Sequence, residues 1–191
     1  SDPIRWNLTV ENALRHAIDQ DAIQVVYQPQ FDLRSGAIVG LEALARWHHK
    51  GLDETPPSVF IRVAEETGLI HRLGELILRI ACRQAVRWRD DGIANLRVAV
   101  NISPLQLKQD DFARHLRNIV ETSGASPSQI ELEITESTLM ENAELMESLL
   151  TMFSAQGFQI AVDDFGTGYS SLSYLRRLSI DRIKIDQSFV K

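Results

Sequence analysis

Two adjacent carboxylates, Asp163 and Asp164, stand between a short apolar run and a glycine-rich turn in residues 159–172, QIAVDDFGTGYSSL. Ile160, Ala161 and Val162 read as a strand. Gly166, Thr167 and Gly168 let the backbone turn, and Ser170 and Ser171 are suited to cap a following helix. Acid at a strand end before a glycine loop is one way an α/β protein builds a site for a metal and a phosphate. Taken alone, the segment reads equally well as a turn that merely joins strand to helix.

The other apolar runs end in the same kind of group. Gln28, Glu42 with Arg46, Asn101, Glu133 with Glu136, and Lys184 with Asp186 each lie at or near the end of a predicted strand. Charges in the middle of apolar strands are costly to bury unless they are paired or bound to a metal. Glu42, Glu133, Asp163 and Asp164 offer carboxylate oxygens and Asn101 an amide oxygen. An all-oxygen set suits Mg²⁺ or Mn²⁺ rather than zinc. The charge suffices for two divalent ions, an arrangement that hydrolyses phosphodiesters by activating water. A single Glu in a strand is more often solvent-facing, but five oxygen donors gathered at strand ends are much harder to explain that way. Lys184 has two readings: an ion-pair partner for Asp163 or Asp186, or a Schiff-base lysine. The surrounding acid keeps it charged, which disfavours an amine nucleophile. His48 and His49 read as solvated loop residues. His16, His71 and His115 lie in separate helices without a partner at ligand spacing, and Trp47 and Trp88 read as packing residues.

The elements that must carry these groups follow from periodicity. Val10, Ala13, Leu14, Ala17 and Ile18 mark an amphipathic entry helix, with Asn7 and Thr9 as expected caps. Residues 24–28 (QVVYQ) read as a strand ended by Pro29. Ser35-Gly36 signals a turn into a second strand over Ile38–Arg46, so the two form a hairpin-like pair. Helices are expected over residues 59–67, 69–89, 112–123 and 145–156, with strands at Arg97–Asn101, Ile130–Thr135, 159–163 and 182–186. A short helix is expected over residues 171–175. Strands alternating with helices imply a parallel sheet. Six strands are expected, whereas a closed eight-stranded barrel takes about 250 residues, so the chain reads as a barrel without its last part. Period-two alternation puts Glu42, Leu44 and Arg46 on one face of their strand, and Lys184 and Asp186 on one face of theirs.

The 191 residues are 44% hydrophobic and 24% charged, an ordinary globular composition. The net charge of −6 argues against a non-specific binder of DNA, RNA or a membrane surface. The one cysteine, Cys82, excludes a disulfide within the chain. No apolar run approaches ~20 residues and no signal peptide is visible, so a cytoplasmic domain is expected. Residues 1–7 read as linker and residues 8–191 as the domain. Sensor modules, a diguanylate cyclase partner or an inner-membrane anchor belong, if present, to sequence outside residues 1–191.

Taken in order, the motifs YQPQ (27–30), EALARW (42–47), FIRVAEETGLI (60–70), VNIS (100–103), ELEITES (131–137), DDFGTGYSSL (163–172) and KID (184–186) resemble the EAL-domain family of cyclic-di-GMP phosphodiesterases. The resemblance covers the chain from about Leu8 to Lys191. It implies a modified (β/α)₈ barrel, TIM-like, whose first strand runs antiparallel, and hydrolysis of cyclic-di-GMP to linear pGpG with Mg²⁺ or Mn²⁺. It implies metal ligation by Glu42, Asn101, Glu133 and Asp163, with Asp164 serving a second metal. Lys184 would hold or polarise the attacking water. Asp186 would lie close to the metals and help order the site. Glu136 would anchor the loop over residues 164–171, which in the family also contributes to dimerisation. Gln28, Leu44 and Arg46 would contact the nucleotide, Arg46 through phosphate. The family continues with two further strands. One carries a metal-binding glutamate in an AEGVE-like segment, and the other follows a QG-containing segment that touches substrate; neither lies within residues 1–191. Exposed apolar barrel edges, self-association and weak or absent turnover compared with a chain about 60 residues longer are therefore expected, and binding of cyclic-di-GMP without cleavage is the alternative activity.

Overall fold

A computed structural model describes residues 3–52, 55–93, 95–167 and 172–189. In chain order the elements are α1 (Pro3–Asp19), β1 (Gln24–Phe31), β2 (Ile38–Arg46), α2 (Pro57–Thr67), α3 (Ile70–Asp90), β3 (Arg97–Asn101), α4 (Pro104–Leu107), α5 (Phe112–Thr122), β4 (Ile130–Thr135), α6 (Glu136–Glu141), α7 (Ala143–Ala155), β5 (Gln159–Phe165), α8 (Leu172–Leu175) and β6 (Arg182–Ile185). Short 3₁₀ turns occupy Pro127–Gln129 and Gln187–Phe189.

The six strands form one sheet in the order of the chain. β1 and β2 are antiparallel, and every later neighbour is parallel. The hairpin turn is fixed by Asp32, whose Oδ1 accepts from the backbone of Arg34 and Ser35, while Gly36 takes the left-handed conformation at φ 69°. The sheet curls, so that Arg182 on β6 donates to Gln30 on β1 at 3.0 Å. It is an incomplete α/β barrel of six strands.

Alternation decides what each strand shows to the two sides. Val98, Val100, Ile130, Leu132, Ile134, Ile160 and Val162 point outward into the main core, where Leu78, Leu116, Leu150 and Phe153 from the helices meet them. A second core joins α1, α2 and the start of α3 through Val10, Leu14, Phe60, Val63 and Leu73. Trp47 fills that second core and Trp88 stacks edge-on to Tyr27, so both tryptophans are packing residues, as expected. The residues between the outward ones face the inside of the curl, and these include every candidate on the strands from Glu42 to Asp163 and Lys184. The outer face of β6 leaves Ile183 and Ile185 exposed.

Three local expectations are corrected. α1 begins at Pro3 and runs through residues expected to be linker. Asn7 and Thr9 therefore lie inside the helix, and Thr9 Oγ1 donates back to the Arg5 carbonyl at 2.9 Å instead of capping. Strand β1 continues past Pro29 to Phe31. β1 has one neighbour among the described strands, so a proline there removes no ladder bond when its nitrogen faces away from β2. The expected caps Ser170 and Ser171, and Gly168, lie outside the described residues. Among the described residues no helix is long and apolar enough to cross a membrane.

Candidate active site

β4 supplies the most deeply buried acid of the cluster. Ile130, Leu132 and Ile134 are held in the core, which forces Glu131 and Glu133 onto the inner face. Glu133 is only 1% exposed. Parallel register sets Asn101 beside Glu133, and Thr135 beside Asp163. Across the curl, β6 sends Lys184 into the middle of the acids. Its Nζ donates to Glu133 Oε2 at 2.7 Å and to Glu42 Oε2 at 3.0 Å, and lies 3.6 Å from Asp163 Oδ1. The amide of Asn101 donates to Glu42 Oε1 at 3.0 Å. Glu42, Glu133 and Asp163 each bring one carboxylate oxygen to within 4.8 Å of the others.

One ammonium cannot neutralise this many carboxylates. Burial pushes Glu133 up to about 7, with the charges of Glu42 and Asp163 adding to the effect against the hydrogen bond and charge of Lys184. Burial would raise Glu42 too, but the Asn101 hydrogen bond and the Lys184 charge hold it below its ordinary value. Lys184 loses hydration by burial, yet bonding to Glu133 and the charges of Glu133 and Glu42 keep its ammonium well above the usual lysine range. An ammonium so held donates hydrogen bonds and is a poor nucleophile, which disfavours the Schiff-base reading. Asp164 is raised by burial and by the neighbouring charges of Asp163 and Asp186.

The excess acid fits a divalent cation. The donors are all oxygens, and Glu133 Oε1 is buried without a hydrogen-bond partner. A pH dependence follows. The folded state binds the Glu133 proton more tightly than the unfolded state, so this contribution to stability is full below the ordinary carboxylate value and is lost as pH rises through about 7. The melting temperature of the cation-free protein is expected to fall between about pH 5 and 8 on this account, and an added divalent cation to raise it more at the upper end. Thermal melts at both pH values with and without cation check this; a cation effect independent of pH would contradict it.

The remaining candidates surround the cluster without joining it. Asp164 follows Asp163 at φ 54°, a left-handed conformation unusual for a side-chain-bearing residue. Glu136, 1% exposed in the first turn of α6, accepts from Gly166 N at 2.8 Å and so ties down the loop after Asp164. Asp186 is half-buried; its Oδ1 accepts from Ser188 N at 2.8 Å, and hydrogen bonding to Ser188 holds its carboxyl below the ordinary value. Gln28 is exposed on β1 directly opposite Glu42. Leu44 and Arg46 line a cavity of about 310 Å³ that also touches Asn101, Glu133 and Glu65.

A second charged layer, absent from the sequence reading, lies beneath the first. Glu131 is fully buried, with Arg97 Nε 3.0 Å from one of its oxygens and Arg182 Nη1 3.8 Å from the other. Glu131 shares a strand face with Glu133, and Arg182 with Lys184, so period two was the available signal. Gly40 makes room for it, since a Cβ there would stand 3.2 Å from Arg97 Nη2. His115, expected to be isolated, in fact bridges α3 and α5, with Glu75 3.1 Å from one ring nitrogen and Asp111 3.2 Å from the other.

A model of the EAL domain family matches residues 11–191. The cyclic di-GMP phosphodiesterase PdeR of Escherichia coli K12 is 45% identical over 184 residues, covering 96% of this chain and 28% of PdeR. An uncharacterized protein, y4lL of Sinorhizobium fredii, is 48% identical over 187 residues, covering 98% of this chain and 22% of y4lL. The chain thus spans well under a third of the length of these relatives. The solved structure of the PaMucR phosphodiesterase in complex with c-di-GMP is 41% identical and superposes with a TM-score of 0.91, covering 95% of this chain and 73% of that one.

Proposed function

Because this chain belongs to the EAL domain family, we propose that it hydrolyses one phosphodiester of cyclic-di-GMP to give linear pGpG, with Mg²⁺ or Mn²⁺ as cofactor. The observation that carries this reading is the Lys184 ammonium set among Glu42, Glu133 and Asp163 at the strand ends. The names of PdeR and of the PaMucR complex support it.

In this reading Glu42, Asn101, Glu133 and Asp163 hold one cation, and Asp164 joins Asp163 in holding a second. A bound divalent cation polarises phosphoryl oxygen and lowers the pKa of water. Lys184 holds the attacking water by hydrogen bonding and offsets the negative charge that grows on the phosphoryl oxygens. Arg46 binds phosphate through its guanidinium. Leu44 lends the cavity an apolar wall for a base, and Gln28 adds a hydrogen-bonding group beside Glu42. Asp186, close enough to raise Asp164, orders the second-cation side. Glu136 acts at a distance by fixing the loop through Gly166.

The proposal extends to partners. The exposed Ile183 and Ile185 and the loop held by Glu136 favour association of two copies. Sensor or diguanylate cyclase domains in a longer protein and a cytoplasmic setting complete the reading.

Incubation of the protein with cyclic-di-GMP and Mn²⁺ or Mg²⁺, followed by chromatography, is expected to yield pGpG. The product should vanish with a chelator and with Glu42→Ala. Folded protein that binds cyclic-di-GMP but yields no pGpG would overturn hydrolysis and leave a receptor.

A further inference from the structure

The chain leaves the site through a turn that is held more firmly than a connecting loop requires. β3 ends at Asn101, and Ile102 N at once donates to the Glu133 carbonyl at 2.9 Å. Ser103 then caps α4 in both directions. Its Oγ accepts from Leu105 N at 3.3 Å, and its own N donates to Gln106 Oε1 at 3.0 Å. The Ser103 hydroxyl has one proton to give, and it gives it to Glu65 Oε1 of α2 at 2.7 Å. Gln106 is 3% exposed, and its amide occupies the space beside Gly74 of α3, where a Cβ would come within 2.0 Å of Gln106 Nε2. α2 through Glu65 and α4 through Leu105 and Gln106 therefore converge on Ser103, two places after Asn101, while α3 meets Gln106 at Gly74.

We infer that Glu65 is a positioning residue for Asn101, acting through the Ser103 hydroxyl to fix where β3 stops and hence where the Asn101 amide stands beside Glu42 and Glu133. A carboxylate suits this task because a charge-assisted bond to a hydroxyl is short and strong. A helix cap alone needs no such partner: Ser103 already accepts from Leu105 and is reached by Gln106. The Glu65 bond adds a link from the cap to α2, a helix that otherwise has no part in the cluster. Such supporting contacts behind a metal ligand are worth about 10–100-fold in metal affinity. The inference rests on the reading of Asn101 as a cation ligand, which the test separates from it.

The test is Mn²⁺ titration of the intact protein carrying this domain, with a thermal melt of each variant. Glu65→Ala is expected to weaken Mn²⁺ binding about 10–100-fold in protein that still melts cooperatively. Glu65→Gln, whose amide oxygen still accepts from Ser103, is expected to recover most of that loss. Ser103→Ala combined with Glu65→Ala is expected to cost no more than Ser103→Ala alone, since Glu65 acts through the Ser103 hydroxyl. If Asn101→Ala weakens Mn²⁺ binding while Glu65→Ala leaves it unchanged, the positioning role is overturned and the ligand role of Asn101 stands. If Asn101→Ala itself changes nothing, the ligand role of Asn101 fails and the inference with it. If Glu65→Ala does not fold, Glu65→Gln and Ser103→Ala decide: equal loss in both, or loss in neither, overturns the inference.

Discussion

Lys184→Met is expected to slow cyclic-di-GMP hydrolysis by about 10²- to 10⁴-fold and, in the same protein, to tighten divalent-cation binding. The two effects have opposite signs because Lys184 does two things. Among the described residues its ammonium is the one cation in hydrogen-bond contact with Glu42 and Glu133, so it competes with a metal for the same negative charge. Removing it leaves Glu42, Glu133 and Asp163 facing one another within 4.8 Å, an arrangement that only a proton or a metal relieves. In the proposed reaction the same removal deletes the group assigned to hold the attacking water. Methionine keeps the length of the side chain, so packing against β5 is largely retained. Mn²⁺ titration and single-turnover hydrolysis of this variant check the pair of effects. Loss of cation binding together with loss of activity would mean that Lys184 organises the site and does not act on water.

Arg97→Ala is expected to destabilise the domain by about 3 kcal/mol, at the lower end of what breaking a buried ion pair costs. The cause is the acid left behind. Glu131 is fully buried, and burial already pushes its carboxyl up against the pull of Arg97 and Arg182. Arg97 Nε is the near partner at 3.0 Å; Arg182 at 3.8 Å remains after the substitution and also serves Gln30. Replacing both Arg97 and Glu131 by methionine removes the stranded charge, and that double variant is expected to lie close to wild type. Denaturant unfolding followed by fluorescence of the buried Trp47 measures both. A loss below about 1 kcal/mol for Arg97→Ala would mean that water reaches Glu131, for such losses are typical of exposed pairs.

How far the site could be read from the sequence follows from the distances over which its signals act. Asn101, Glu133, Asp163 and Lys184 each stand at or near the end of an apolar run, and parallel strands bring such ends to one mouth; period two put Glu42 with Leu44 and Arg46 on one strand face and Lys184 with Asp186 on another, and that reasoning is local. The helices long enough to repeat an apolar stripe, α3, α5 and α7, were legible for the same reason. α4 and α6 were not, being four and six residues long. Their caps were written in the chain even so: Ser103 stands three residues before Gln106, and Thr135 accepts from Thr138 N. Period two could have put Glu131 and Arg182 on the inner face of the lower charged layer, but not their pairings, which join residues far apart, Gln30 with Arg182 and Arg97 with Glu131, that no spacing rule brings together. The link from Glu65 to Ser103 is of the same kind. Asp164 was read as a second carboxylate, but its left-handed backbone, which turns it out of the three-carboxylate cluster, has no signature in residue type alone.

The central claim is that the acids around Lys184 form a cation site. Anomalous diffraction from Mn²⁺-soaked crystals of the protein tests it most directly. The expected result is a manganese peak within about 2.0–2.3 Å of oxygens of Glu42, Asn101, Glu133 and Asp163, in the range of hard-cation ligation, with the Lys184 ammonium drawn away from Glu133. Manganese bound elsewhere, with Lys184 still hydrogen-bonded to Glu42 and Glu133, would contradict the claim and reduce the cluster to a buried structural ion pair.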